Sequence, residues 1–389
     1  MKAGTKKHGR RAMILWLICL MAVQVIFGVV PVLAEDGGAA MPEVSGLGVI
    51  HETEFGGIYL TMSIEELNAQ GFEFGDSVSV TFSNGYTLED IPYYNGYYTR
   101  NGEPLLIGYP GYDYVKVHIN NGDDLWLIAG VDEKTTARIT VKESGKYLDT
   151  QEARDLHYKD ERSAYESDVV FANFRNFHVG NLKEGLLYRS ASPCDNQHNR
   201  AAFTDALIAD AGVRFILNLA DTDEKMKGYI AKEDFNSPYF FSLYQEGKVY
   251  PLAMNMSFAS EEFRAKAADG LRAMLENDGP YLIHCTEGKD RTGFMCMLVE
   301  ALCGASYEEI VDDYMITYRN YYGITKESDP EKYETIVQEL LEPMIRSLMD
   351  GNPDADLRTV DLSEQACSFL KRAGMSEDEI TRLTEKLTK

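Results

Sequence analysis

The 389-residue chain carries 62 acidic against 38 basic side chains, a formal net charge of −24, and 44% hydrophobic residues. That is enough apolar material for two full cores, and so negative a surface argues against nucleic acid as a partner and against long-range attraction to anionic membranes. The six cysteines and seven histidines form neither a disulfide framework nor a zinc spacing, so no metal or other cofactor is expected.

At the N-terminus, Lys2, Lys6, Lys7, Arg10 and Arg11 precede an uncharged run from Ala12 to Ala34 that ends Pro31-Val32-Leu33-Ala34. A basic start, an apolar stretch and small residues before a cut make residues 1–34 an expected secretion signal. If uncut, the run is long enough to anchor the chain in a bilayer. Either outcome places the protein outside the cytoplasm, secreted or on the cell surface.

Residues 41–141 are expected to form a small antiparallel β-domain. Short alternating runs such as Val78-Ser79-Val80-Thr81-Phe82 and Val115-Lys116-Val117-His118-Ile119 are broken by Asn-Gly pairs at Asn84, Asn95, Asn101 and Asn121, a pairing suited to tight hairpin turns. Tyr93, Tyr94, Tyr97, Tyr98, Tyr109, Tyr112 and Tyr114 crowd this stretch. They would offer a glycan or peptide ligand a stacking platform, or serve only as ordinary cross-strand pairs. Residues 142–167 are charged and periodic without a strong apolar face and read as a linker with some helix.

Residues 168–350 alternate strands with helices, the pattern of a three-layer α/β fold around a mostly parallel sheet. The spacing predicts helices at Ala202–Ala211, Glu261–Glu276, Tyr307–Tyr322 and Pro330–Met349, and strands at Val213–Leu219 and Tyr281–Ile283. Residues 351–389 are expected as a small helical appendage, in which Ser376 and Glu379 make a capping box.

The chemistry concentrates in His284-Cys285-Thr286-Glu287-Gly288-Lys289-Asp290-Arg291-Thr292-Gly293. A short apolar strand precedes it, and Phe294, Met297, Leu298, Ala301 and Leu302 follow at helical spacing. A loop that opens a helix aims backbone N–H groups and the positive end of the helix dipole at its mouth, where an anion is the natural occupant. Such a field favours a thiolate, so Cys285 is the expected nucleophile, with Thr292 as a hydroxyl donor. Arg291 offers a planar fork for two phosphoryl oxygens. Thr286, Glu287, Gly288, Lys289 and Asp290 would line the substrate. Lys289 either pairs with Asp290 on the rim or meets a second substrate phosphate, while Glu287 adds negative charge. His284 is expected to orient the loop.

These residues resemble the signature loop of the cysteine-dependent protein tyrosine and dual-specificity phosphatase superfamily, which runs His-Cys, five residues, Arg, then Ser or Thr. The Gly288 to Gly293 version looks like a bacterial branch whose members act on phosphotyrosine and often on phosphoinositides. Asn173-Phe174-Arg175, followed by Gly185-Leu186-Leu187-Tyr188-Arg189-Ser190-Ala191, is similar to that branch's opening motif, so the resemblance covers about residues 170–323. It implies attack by the Cys285 thiolate on phosphorus, a phosphocysteine intermediate, and a carboxyl group that protonates the leaving oxygen. The substrate would be a phosphorylated protein or a small phosphoester.

In that branch the acid stands on the loop after the strand at Val213–Leu219, but an ungapped match puts Asn218 in its place. Asp221 is therefore the expected donor, ahead of Asp223 and of Asp290. Two other functions compete with a phosphotyrosine phosphatase. One is a phosphoinositide or inositol phosphate phosphatase that uses Lys289; the other is a cell-surface ligand-binding protein in which the phosphatase domain is secondary.

Overall fold

The computed structural model describes residues 41–53, 55–100, 102–349 and 354–388; the expected secretion signal lies outside them. From Pro42 onward the described residues form one compact unit. Among the described residues no helix is long and apolar enough to cross a membrane.

The first half closes into a seven-stranded barrel of β1 (Glu43–Glu52), β2 (Gly57–Leu60), β3 (Ser77–Phe82), β4 (Thr87–Tyr94), β5 (Pro104–Ile107), β6 (Lys116–Ile119) and β7 (Thr136–Glu143), in the order β1-β2-β6-β5-β4-β3-β7. Closure leaves no free edge strand. Alternation sends Val78, Val80, Ile91, Val117, Ile139 and Val141 into its core, as period-2 patterning requires. The expected antiparallel domain needs correction, because β4 and β5 pair in parallel, Tyr93 with Leu106 and Tyr94 with Ile107. Of the Asn-Gly signals, Asn84-Gly85 does close a hairpin, between β3 and β4. Asn95-Gly96 does not, because the Asn95 side chain is drawn away by Gln151 at 2.8 Å and Asp155 at 2.7 Å, so the chain crosses over before β5.

Several of the crowded tyrosines turn toward each other. Tyr59, Tyr97 and Tyr112 ring the buried Lys116 ammonium, with centroids 5.6, 5.3 and 4.9 Å away, an arrangement favoured by the ring quadrupoles.

The second half is built on a five-stranded sheet of β8 (Arg175–Asn176), β9 (Leu187–Ser190), β10 (Phe215–Asn218), β11 (Val249–Pro251) and β12 (Tyr281–His284), in the order β11-β10-β12-β9-β8. All pairs are parallel except β8 with β9. Because successive side chains point to opposite faces, Phe215, Leu217, Tyr281 and Ile283 enter one core, while Ile216 and Leu282 enter another. The first core is covered by helices Glu261–Glu276 and Asp290–Leu302, the second by Ala201–Asp210, Asp223–Ile230 and Pro238–Gln245.

The helices Leu362–Arg372 and Glu377–Leu387 belong to the first core. Phe369 packs against Phe294 with ring centroids 5.8 Å apart, so the tail expected as an appendage supports the helix behind the signature loop. The capping box at Ser376 and Glu379 is formed as expected. The single helix expected over Pro330–Met349 is divided by a wider turn at Val337–Leu341, a π-type bulge of the kind that shifts a helix face by inserting one residue.

Candidate active site

The signature loop leaves β12 in the middle of the sheet and runs into the helix Asp290–Leu302. Its shape is fixed from the outside, through its carbonyl oxygens. Ser192 N donates to Thr286 O at 3.0 Å, the Tyr321 hydroxyl to Glu287 O at 2.7 Å, and Arg189 Nη2 and Asn173 Nδ2 to Gly288 O at 3.1 and 3.2 Å. Gly288 has φ +68°, and a Cβ there would fall 2.2 Å from Ser190 O. Only glycine takes that conformation at that distance. With the acceptors tied outward, the backbone N–H groups of Thr286 to Arg291 make no hydrogen bond to any described residue. Unpartnered amides at a helix N-terminus form an anion cradle.

Cys285 sits at the floor of this loop, 3% exposed. Arg291 donates to Met254 O at 3.2 Å and to Thr286 Oγ1 at 3.4 Å. Among the described residues no carboxylate pairs with it. Thr292 is fully buried, and its Oγ1 has no partner among the described residues. The fully buried His284 donates Nδ1–H to Cys285 O at 3.1 Å. Burial lowers its pKa from 6.5 to about 4, so the ring is neutral at physiological pH.

Lys289 is placed very differently from Arg291. Its Nζ is 3.2 Å from Glu287 Oε2, 3.8 Å from Asp290 Oδ2 and 3.5 Å from the Tyr322 hydroxyl. Burial alone would lower its pKa, but the two carboxylates outweigh that and raise it.

The three candidate acids separate cleanly. Asp223 is in the first turn of its helix, 2.6 Å from both Lys227 Nζ and the Tyr244 hydroxyl; these hydrogen bonds hold its carboxyl below the usual range. Asp221 is buried, and both its oxygens are taken, Oδ2 by Asn218 Nδ2 at 3.1 Å and Oδ1 by the Tyr229 hydroxyl at 3.2 Å. Asn218 also accepts from the N–H of Ala220 and Asp221. An amide at this position both donates and accepts, whereas an aspartate would set two carboxylates against each other. Asp290 opens the helix at the loop's rim, with its side chain 31% exposed.

Two groups of residues were invisible as site components in the sequence. Below the loop, Asp313 binds Arg175 at 2.9 Å and Arg189 at 2.8 Å; Asp313 and Arg189 are buried and Arg175 is half-buried. Burial pushes the Asp313 carboxyl up, but the two guanidinium groups outweigh it and bring it down to about 2. Above the loop, the stretch read as a linker brings Tyr158 against Tyr321, with ring centroids 5.0 Å apart, and its hydroxyl lies 3.3 Å from His198 Nε2. Arg200 Cζ stands 4.7 Å from the Tyr158 ring while Nη1 binds Asp160 at 2.8 Å.

A cysteine beneath a ring of unpaired amides, faced by an arginine without a counter-ion, defines a cysteine-dependent phosphatase. The chain belongs to the tyrosine phosphatase family, whose model matches residues 171–389. A tyrosine-protein phosphatase of Nostoc commune is 43% identical over 58 residues, 15% of this chain. The match spans a fifth of that relative's length, 20%. Among solved structures, the core catalytic domain of the PP-IP phosphatase SIW14 from S. cerevisiae, in complex with citrate, is 20% identical; the match covers 46% of this chain and 94% of that one, with a TM-score of 0.26. A second Siw14 catalytic core is 21% identical over 47% and 94%, with a TM-score of 0.25.

Proposed function

We propose that the protein is an exported phosphatase that hydrolyses phosphotyrosine, or a closely related aryl phosphomonoester, through a phosphocysteine intermediate. The observation that carries this reading is a loop headed by Cys285 whose amides are unpaired and whose half-buried Arg291 has no carboxylate partner among the described residues. A partly desolvated charge favours a counter-ion, and a phosphoryl dianion supplies one.

In the reaction the Cys285 thiolate attacks phosphorus and the bond to the leaving oxygen breaks with its electron pair. Arg291 and the loop amides hold the three equatorial oxygens throughout. Thr292 supplies a hydroxyl to the sulfur, and His284 fixes the carbonyl behind it. The leaving oxygen takes a proton from a carboxyl group, and the same group then removes a proton from the water that splits the phosphocysteine. Of the three candidates Asp290 is the least tightly held, 3.8 Å from Lys289, since Asp221 is engaged by two donors and Asp223 by Lys227 and Tyr244 at 2.6 Å. If Asp290 is the acid, Asp290→Asn loses about 10² to 10⁴-fold in kcat together with the basic limb of the pH–rate profile. Loss of that limb in Asp221→Asn instead would return the role to Asp221.

An aromatic wall of Tyr158, Tyr321 and Tyr322 above the loop suits an aryl leaving group. Export rests on the sequence of residues 1–34. N-terminal sequencing of the protein recovered outside the cytoplasm should begin at Glu35, and recovery only from the cytoplasm would remove that part of the reading.

A further inference from the structure

We infer that Glu287 is a specificity-determining residue, whose carboxylate occupies Lys289 from inside the loop and so restricts the site to substrates carrying a single phosphoryl group. The inference rests on the phosphatase reading above and deepens it. The loop holds two cations of opposite availability. Arg291 has no carboxylate partner among the described residues. Lys289 pairs with Glu287 at 3.2 Å and with Asp290 at 3.8 Å, and donates to the Tyr322 hydroxyl at 3.5 Å, so its charge is already met from inside the loop. A second phosphoryl group reaching Lys289 would have to displace both carboxylates.

Glu287 is not free to swing aside. Its backbone carbonyl is held by the Tyr321 hydroxyl at 2.7 Å, its side chain pairs with Lys289 at 3.2 Å, and Tyr158 stands over the same tyrosine. Tyr158 is itself clamped, with Tyr321 stacked 5.0 Å away, Arg200 4.7 Å from its ring, and Arg200 anchored on Asp160 at 2.8 Å. Burial works to raise the Glu287 pKa, but Lys289 and the Tyr158 hydroxyl lower it on balance, so the carboxylate is a standing negative charge. One phosphoryl group is then met by Arg291 and the amides, whereas a second meets the Glu287 carboxylate and is repelled.

The test compares kcat/KM for 4-nitrophenyl phosphate and for inositol hexakisphosphate in the full-length protein and in Glu287→Gln, Tyr158→Phe and the double variant Glu287→Gln/Lys289→Ala. Glu287→Gln should raise the hexakisphosphate-to-aryl phosphate ratio roughly tenfold, the effect of removing one nearby like charge. Tyr158→Phe should raise it by less, and the double variant should return it to the wild-type value. An unchanged ratio in Glu287→Gln, or a gain that survives loss of Lys289, overturns the inference. The same comparison is made by calorimetric binding of phosphotyrosine and inositol hexakisphosphate in a Cys285→Ser background. A shifted binding ratio in a protein whose parent turns over neither compound would sink the phosphatase reading and leave the role of Glu287 standing.

Discussion

At the scale of single residues, the site separates two cations that look alike in the sequence. Arg291 faces the loop with its charge uncompensated, and its planar fork is the part lysine cannot copy. Arg291→Lys should therefore lower kcat for an aryl phosphate by about 10² to 10³-fold with the fold retained, as read from steady-state kinetics beside a thermal melt. A loss confined to KM would mean that Arg291 only binds.

His284 gives a pH prediction of definite sign. Its folded value of about 4 lies below the ordinary 6.5, so the unfolded chain takes up the proton first. Its contribution to stability is complete above about pH 6.5 and is lost as the pH falls toward about 4. Melting temperatures of the wild type and His284→Asn between pH 7 and 4 should converge on acidification; parallel curves would reject the buried neutral ring.

At the scale of elements, the loop is rigid because its carbonyls are tied to β9, to the helix Tyr307–Tyr322 and to the Asn173 turn. The Arg175, Arg189 and Asp313 cluster is the deepest of these ties. Removing one partner of a buried ion pair strands the other charges, at a cost of about 3–5 kcal/mol. Asp313→Asn should accordingly lower the denaturation midpoint by that order and slow turnover, while a surface control such as Lys371→Ala changes neither.

Much of this element was legible in the sequence. The strand before Cys285, the helices Glu261–Glu276 and Tyr307–Tyr322 and the cap at Ser376 all follow from periodicity and local capping, which are short-range. The position of Lys289 was not legible, because a Lys-Asp neighbour pair says nothing about whether Glu287 also turns inward. Nor was the pairing of β4 with β5, since Asn95-Gly96 carries a hairpin signal that long-range bonds to Gln151 and Asp155 override.

At the scale of the whole molecule, the barrel and the catalytic half have separate cores, bridged by the helix Leu148–Arg154, which buries Ala153 in the catalytic core and makes polar contacts on both sides. Asn95 grips Gln151 and Asp155, and Thr150 on that helix binds Glu339 at 2.8 Å. From Asp155 the chain runs directly to Tyr158 over the signature loop, so a stretch without a strong apolar face links the barrel to the active site. Its charge made it look like a spacer, because what it contributes are tertiary contacts of individual side chains, Ala153 and Leu156 in the catalytic core among them. Asn95→Ala should loosen this junction by about 1–3 kcal/mol and split the calorimetric melt into two transitions. A single transition, shifted or not, would mean that the two cores stay coupled without it.

All of this depends on Cys285 forming a covalent bond to phosphorus. The most direct measurement is to quench turnover of a 32P-labelled aryl phosphate with acid and map the label by peptide mass spectrometry. The label should sit on the peptide containing Cys285, accumulate further when the proton donor is replaced by asparagine, and vanish in Cys285→Ser. Turnover that continues in Cys285→Ser, or label found on another residue, would contradict the account.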